Sequence, residues 1–125
     1  MYDSEWQEAA RAVRAEVIGG GGTQEGSDGG APTGYRDYVT ATAWGVWARG
    51  GPLSTRDRSL LVLAMTAATA RMNAFRIHLA AASRAGVTDA EVDELLYQLT
   101  AYCGAPAGID ALAVIREVRE ARDAA

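Results

Sequence analysis

Apolar residues recur at helical spacing in six stretches of this chain, and no stretch alternates with the period of two that a half-buried strand requires. The first stretch, residues 4–18, places Trp6, Ala10, Val13 and Val17 on one stripe, with Ser4 as the expected N-cap. In the second, residues 35–48, Tyr35, Tyr38, Val39, Thr42, Val46 and Trp47 fall largely on one side. Arg49-Gly50-Gly51-Pro52 then breaks the pattern. Ser54 with Asp57 forms a capping pair for a third helix running to about Arg71, with Leu60, Leu61, Ala64, Ala67 and Ala68 expected inside. Asn73 is placed to cap a fourth helix carrying Phe75, His78, Leu79 and Ala82, and Gly86 suits a left-handed stop. Thr88 and Glu91 are spaced as a capping box for a fifth helix, whose buried residues are Val92, Leu95, Leu96 and Leu99. Gly104 and Pro106 mark a stop and a new first turn. The sixth helix, about 106–122, is expected to bury Ile109, Leu112, Ile115 and Val118, and to turn Arg116, Glu117, Arg119, Glu120 and Arg122 to water. The pattern predicts an all-α fold, a compact bundle of about six helices in a single domain spanning 1–125.

Residues 19–34, GGGGTQEGSDGGAPTG, interrupt this pattern. Glycine and small polar residues bury little area, so a flexible connector is expected, with a lid over a site as the alternative.

Composition narrows the function. Of 125 residues, 49% are hydrophobic, enough for a core, but much of that fraction is alanine, which buries little area. Helices of this kind complete their cores against another subunit, so a homo-oligomer is expected. Net charge is -4 with no basic stripe, which argues against nucleic acid as a partner. All 12 basic residues are arginine, which excludes a Schiff base on lysine. One cysteine cannot form an internal disulfide. The acidic start, Asp3, Glu5 and Glu8, is unlike a signal peptide. No apolar run approaches the ~20 residues that span a bilayer. A cytoplasmic protein with no membrane partner is the expectation.

Without a metal-ligand cluster or phosphate loop, chemistry would rest on a few side chains. His78 is the one group that ordinarily titrates near neutrality. Two readings are open for it, a hydrogen-bonded core histidine and a general acid or base in an apolar pocket. Cys103 ends the fifth helix, but Thr100 and Pro106 stand where a paired cysteine would be, so a two-cysteine thiol peroxidase does not fit. A small buried apolar residue is its expected role. Glu91 has a capping job, whereas Glu94 is placed to point inward between Val92 and Leu95. Arg49, Arg56 and Arg58 flank a turn, and any of them could bind a carboxylate bidentately, while Arg56 and Arg58 could instead pair with Asp57 or lie at the surface. Trp44 and Trp47, three apart, are either core or the wall of a flat ligand site.

Taken together, these pieces resemble the γ-carboxymuconolactone decarboxylases of the alkylhydroperoxidase-D-like superfamily. The resemblance rests on Trp44-Gly45-Val46-Trp47-Ala48-Arg49, Leu53, Arg58-Ser59-Leu60, His78-Leu79, Gly86-Val87-Thr88, Glu91, Glu94 and Tyr102-Cys103-Gly104-Ala105-Pro106-Ala107. It extends weakly back to Val13-Arg14 and so covers most of the chain. It implies an all-helical, alkylhydroperoxidase-D-like fold assembling into trimers or hexamers, and a cofactor-free, metal-free reaction on a small-molecule substrate. In that reaction a carboxylated γ-lactone loses carbon dioxide and shifts a double bond. The resemblance makes His78 the acid/base and Arg49 the carboxylate holder, with Tyr102 and Cys103 lining the site. Two positions depart from the family pattern. Ala74 stands where a glutamate usually precedes the histidine by four, and Gly20-Gly21-Gly22-Thr23 replaces an Asp-Ala-His-Val-like stretch. Both changes remove polar groups, which favours a less charged substrate.

Three functions follow. The first is a cofactor-free lyase with His78 as acid/base. The second is a secondary-metabolism tailoring enzyme, a cyclase or isomerase, acting on a larger apolar substrate. The third is a non-catalytic oligomeric binding protein. A peroxidase using Cys103 alone ranks last.

Overall fold

A computed structural model describes residues 2–19 and 29–125. Among them are six helices and no strand, as the hydrophobic pattern predicts. The polyglycine segment 20–28, with the lid reading attached to it and the Gly20–Thr23 departure, lies outside the described residues. The chain divides into two compact units, 1–54 and 55–125.

The first unit is a helical hairpin of α1 (Ser4–Ile18) and α2 (Tyr35–Ala48). Its cap is Asp3, one residue before the expected Ser4; the Asp3 carboxylate accepts from the Trp6 amide at 2.8 Å. The seam is built on Trp6. Its indole Nε1 donates to the Ala41 carbonyl at 2.8 Å, and its ring lies where a Cβ at position 45 would have to be, so Gly45 permits the approach. Ala10 and Val17 of α1 and Thr40, Ala41, Trp44 and Gly45 of α2 are buried. This corrects the expected face of α2. Tyr35, Tyr38, Val39 and Val46 are exposed, because the tryptophan of α1 selects the small residues of α2 as its contact.

The second unit packs α3 (Thr55–Ala68), α4 (Met72–Ala85), α5 (Asp89–Cys103) and α6 (Ala105–Asp123) around Leu63, Phe75, Leu79, Val92, Leu99 and Ile115. On α3 the inward stripe is Ser59–Leu63–Ala67, which keeps the expected Ala67 but otherwise runs one position before the expected Leu60 and Ala64. Leu61 is 43% exposed and Ala68 is exposed, while Leu60 and Ala64 are half-buried against the core. The helix ends at Ala68, short of Arg71. Ala70 takes φ 59°, and the Arg71 amide reaches back to the Thr66 carbonyl at 2.8 Å. Asn73 is not the cap of α4. It lies inside the first turn, and its Oδ1 accepts from Arg76 Nη1 at 3.0 Å.

The other stops agree with the sequence. Gly86 is left-handed at φ 96°, and its amide bonds to the last turn of α4. Thr88 and Glu91 form a complete capping box. Pro106 sits in the first turn of α6. On α6, Ile109 is 66% exposed rather than buried, since Gly108 and Ala111 face inward. Gly108 meets Thr100 so closely that a Cβ there would overlap its hydroxyl, and this close seam turns the next residue outward. Arginines tie the helix ends. Arg56 pairs with Asp57 at 3.0 Å and with Glu91, while Arg119 reaches Asp93 at 2.9 Å and Arg122 reaches Asp89 at 3.0 Å.

Candidate functional site

His78 lies in the middle of α4, one turn after Ala74 and beside the buried run Phe75, Leu79 and Ala82. The side chain is half-buried and its Nδ1 is buried. Burial pushes the imidazole pKa below its ordinary value, because the low-dielectric surroundings disfavour the cation. The resting ring is therefore mainly neutral at pH 7. A neutral imidazole is at once a donor and an acceptor, which suits proton relay.

The other candidates divide between the units. In the first unit, Trp44 is buried and Trp47 half-buried, with ring centroids 4.9 Å apart and planes tilted by 38°. They form one aromatic wall. Arg49 follows as the exposed C-cap residue of α2, its amide bonded to the Gly45 carbonyl at 3.0 Å. No carboxylate pairs with its guanidinium among the described residues.

In the second unit, Tyr102 is 83% exposed and Cys103 is exposed at the end of α5. The expectation that Cys103 is a buried apolar residue is thus corrected. The buried stripe of α5 stops at Leu99, and the chain turns out through Gly104. Glu94 is corrected likewise. The stripe passes through Val92, Leu95 and Leu99, which leaves Glu94 on the solvent side. Glu91 is fully engaged, accepting from the Thr88 amide at 2.9 Å and hydroxyl at 3.0 Å while pairing with Arg56, so it is a structural carboxylate.

Two polar residues at the start of α3 are buried without an apolar pattern to announce it. Arg58 is 8% exposed and Ser59 is 1% exposed. Of the three arginines flanking the turn, Arg56 takes the pairing with Asp57, whereas Arg58 is inside rather than at the surface. No signal in the hydrophobic spacing marks either residue, because the register of α3 is set by its neighbours. Among the described residues, no group of three or more His, Cys, Asp or Glu side chains is placed to hold a metal ion. None of the described helices is long and apolar enough to cross a membrane.

The profile of the Carboxymuconolactone decarboxylase family matches residues 34–117, a span that contains every candidate residue named above. The chain is 36% identical over 85 residues to a 4-carboxymuconolactone decarboxylase of Acinetobacter baylyi, covering 67% of this chain and 63% of that protein. It is 34% identical over 83 residues to a nitrosuccinic acid decarboxylase of Metarhizium robertsii, covering 66% of this chain and 57% of that protein. The matched region thus takes in less than two thirds of either relative. On this evidence the chain belongs to the carboxymuconolactone decarboxylase family.

Proposed function

We propose that this chain is a cofactor-free carboxy-lyase acting on a small carboxylated lactone or a related acid, with His78 as acid/base. The observation that carries the reading is the placement of the chain's one histidine, half-buried on α4 within the family-matched span. The names of the two relatives add support. A carboxylated lactone and a nitro acid share one feature, a carboxylate whose bonding electrons can pass to an electron-withdrawing group as carbon dioxide leaves.

Arg49, for a carboxylate, and Trp44 and Trp47, for a flat ring, all of the first unit, remain the proposed substrate-binding residues. The carbon–carboxylate bond breaks, carbon dioxide departs, and the electron pair moves into the acceptor group. His78 relays one proton from solvent to the resulting anion, taking it up at one ring nitrogen and giving it from the other, so a carboxylate and a solvent proton become carbon dioxide and the protonated product. An apolar wall aids the first step, because a carboxylate poorly solvated by its site gains from losing its charge. Tyr102, Cys103 and Glu94 are proposed at the edge of the site.

We also propose a homo-oligomer, a trimer or hexamer, in which the exposed apolar side of α2 is covered. A cyclase or isomerase acting on a larger, less charged substrate is the second reading, favoured by the methyl of Ala74 one turn before His78. The deciding experiment follows carbon dioxide release from γ-carboxymuconolactone and from nitrosuccinate, with wild type and His78→Ala. Release by wild type that falls about a hundredfold or more in a folded His78→Ala protein is expected for an acid/base group. Release unaffected by the substitution would sink the role of His78. No release from either acid by folded wild type would move the search to the second reading.

A further inference from the structure

The last turns of α6 are tied to the second unit more by charge than by apolar contact. Beyond the buried Ile115, residues 116–123 carry two apolar side chains, Val118 and Ala121. Val118 is half-buried against the core and Ala121 is exposed, so apolar burial anchors this stretch at one point. The stretch borders a groove of about 480 Å³, floored by Leu79 and Ala82 from α4, Val87 from the α4–α5 turn and Val92 from α5. All four floor residues are buried.

Ion pairs close the rim of this groove on both sides of α6. Towards α4, Arg76 donates Nε and Nη2 to Glu117 and Nη1 to Asn73. Towards α5, Arg119 Nη2 reaches Asp93 at 2.9 Å and the Asp89 carbonyl at 3.1 Å, and Arg122 Nη1 reaches the Asp89 carboxylate at 3.0 Å. Arg122 Nε also bonds to Asp123. The bond from Arg122 holds the Asp89 carboxyl below its ordinary pKa. Three guanidiniums thus meet four carboxylates, and the rim has no positive charge to spare for a ligand. The role of the pairs is mechanical, because they join the end of α6 to α4 and to the start of α5. Each of the four carboxylates is more than half exposed, so water and salt compete for every pair. Val114 and Ile115, just before this stretch, are held instead by apolar burial, which screening does not weaken.

We propose that the end of α6, from Val118 to Asp123, is a strap sensitive to ionic strength. The pairs of Arg76, Arg119 and Arg122 close it along the groove at low salt. As salt screens those pairs, the strap unwinds and lifts, uncovering the groove floor. A helix end with few apolar contacts has the low local stability that such an opening requires. The inference does not rest on the decarboxylase reading, and it needs none of the residues placed in the reaction.

The test is amide-resolved hydrogen exchange of the full chain by NMR at fixed pH, in about 0.1 M and about 1 M sodium chloride, between which the screening length falls from about 10 to about 3 Å. Amides of residues 119–123 are expected to exchange at least about fivefold faster at high salt, while those of Val114 and Ile115 keep their rates. The double variant Arg119→Gln with Arg122→Gln should exchange fast at the helix end in both salts, since glutamine keeps the helix propensity but breaks the pairs to α5. Equal rates at residues 119–123 in the two salts would overturn the proposal. So would an acceleration that extends equally through Val114 and Ile115, or a salt response retained by the double variant. Should that variant lose its fold, the wild-type comparison of residues 119–123 with Val114 and Ile115 decides by itself.

Discussion

At the scale of single residues, burial changes what a side chain can do. His78 titrates below its ordinary value because its surroundings exclude water. Its unfolded value is about 6.5. Between that value and the lower folded one, the unfolded chain binds more protons, so stability rises with pH across this window. Acidification through about 6.5 and below should therefore destabilise the fold, and His78→Gln should flatten that part of the profile. Urea midpoints measured across this range for both proteins check the sign, and a wild-type midpoint that climbs on acidification would contradict it. Gly45 gives a second residue-scale case. A methyl there enters the space of the Trp6 ring, so Gly45→Ala should cost about 1–3 kcal/mol, as overpacking does, despite alanine's better helix propensity. A thermal melt that rises in Gly45→Ala would refute the seam. The presence of a lone histidine is legible in the sequence, but its environment depends on residues far along the chain.

At the scale of elements, local signals located the helices better than their faces. Gly86, the Thr88–Glu91 box and Pro106 act within a few residues, so their spacing is sufficient to place helix ends. Faces are decided by neighbours. On α3 the alanines and leucines allow two adjacent stripes, and packing selects the one through Leu63. The consequence is measurable. Leu63→Ala should cost about 2–5 kcal/mol, whereas Leu61→Ala should stay within about 0.5 kcal/mol in the monomeric state. Equal losses from the two changes would mean that α3 is turned otherwise. The same reasoning explains Cys103 and Glu94, which sit beside the buried line of α5 and not on it.

At the scale of the whole molecule, an uncharged stretch of α2 carries exposed Tyr38, Val39 and Val46, and such a surface costs free energy in water unless it is covered. The homo-oligomer proposed above covers it. Sedimentation should therefore show a larger species for wild type and a shift towards monomer for Val39→Glu with Val46→Glu. A wild-type monomer would rule the assembly out. The sequence by itself determined that the protein is all-helical, where the turns after α2, α4 and α5 fall, and which family it joins. Those properties rest on helical periodicity, on caps and glycines acting over a few residues, and on motif order. Only the tertiary structure decided which side of α2, α3 and α6 is inside, that Arg58 and Ser59 are buried, that Cys103 is exposed, and that arginines of α4 and α6 rim one groove. Each of those depends on which helices meet, and in an alanine-rich chain several faces are apolar enough to serve.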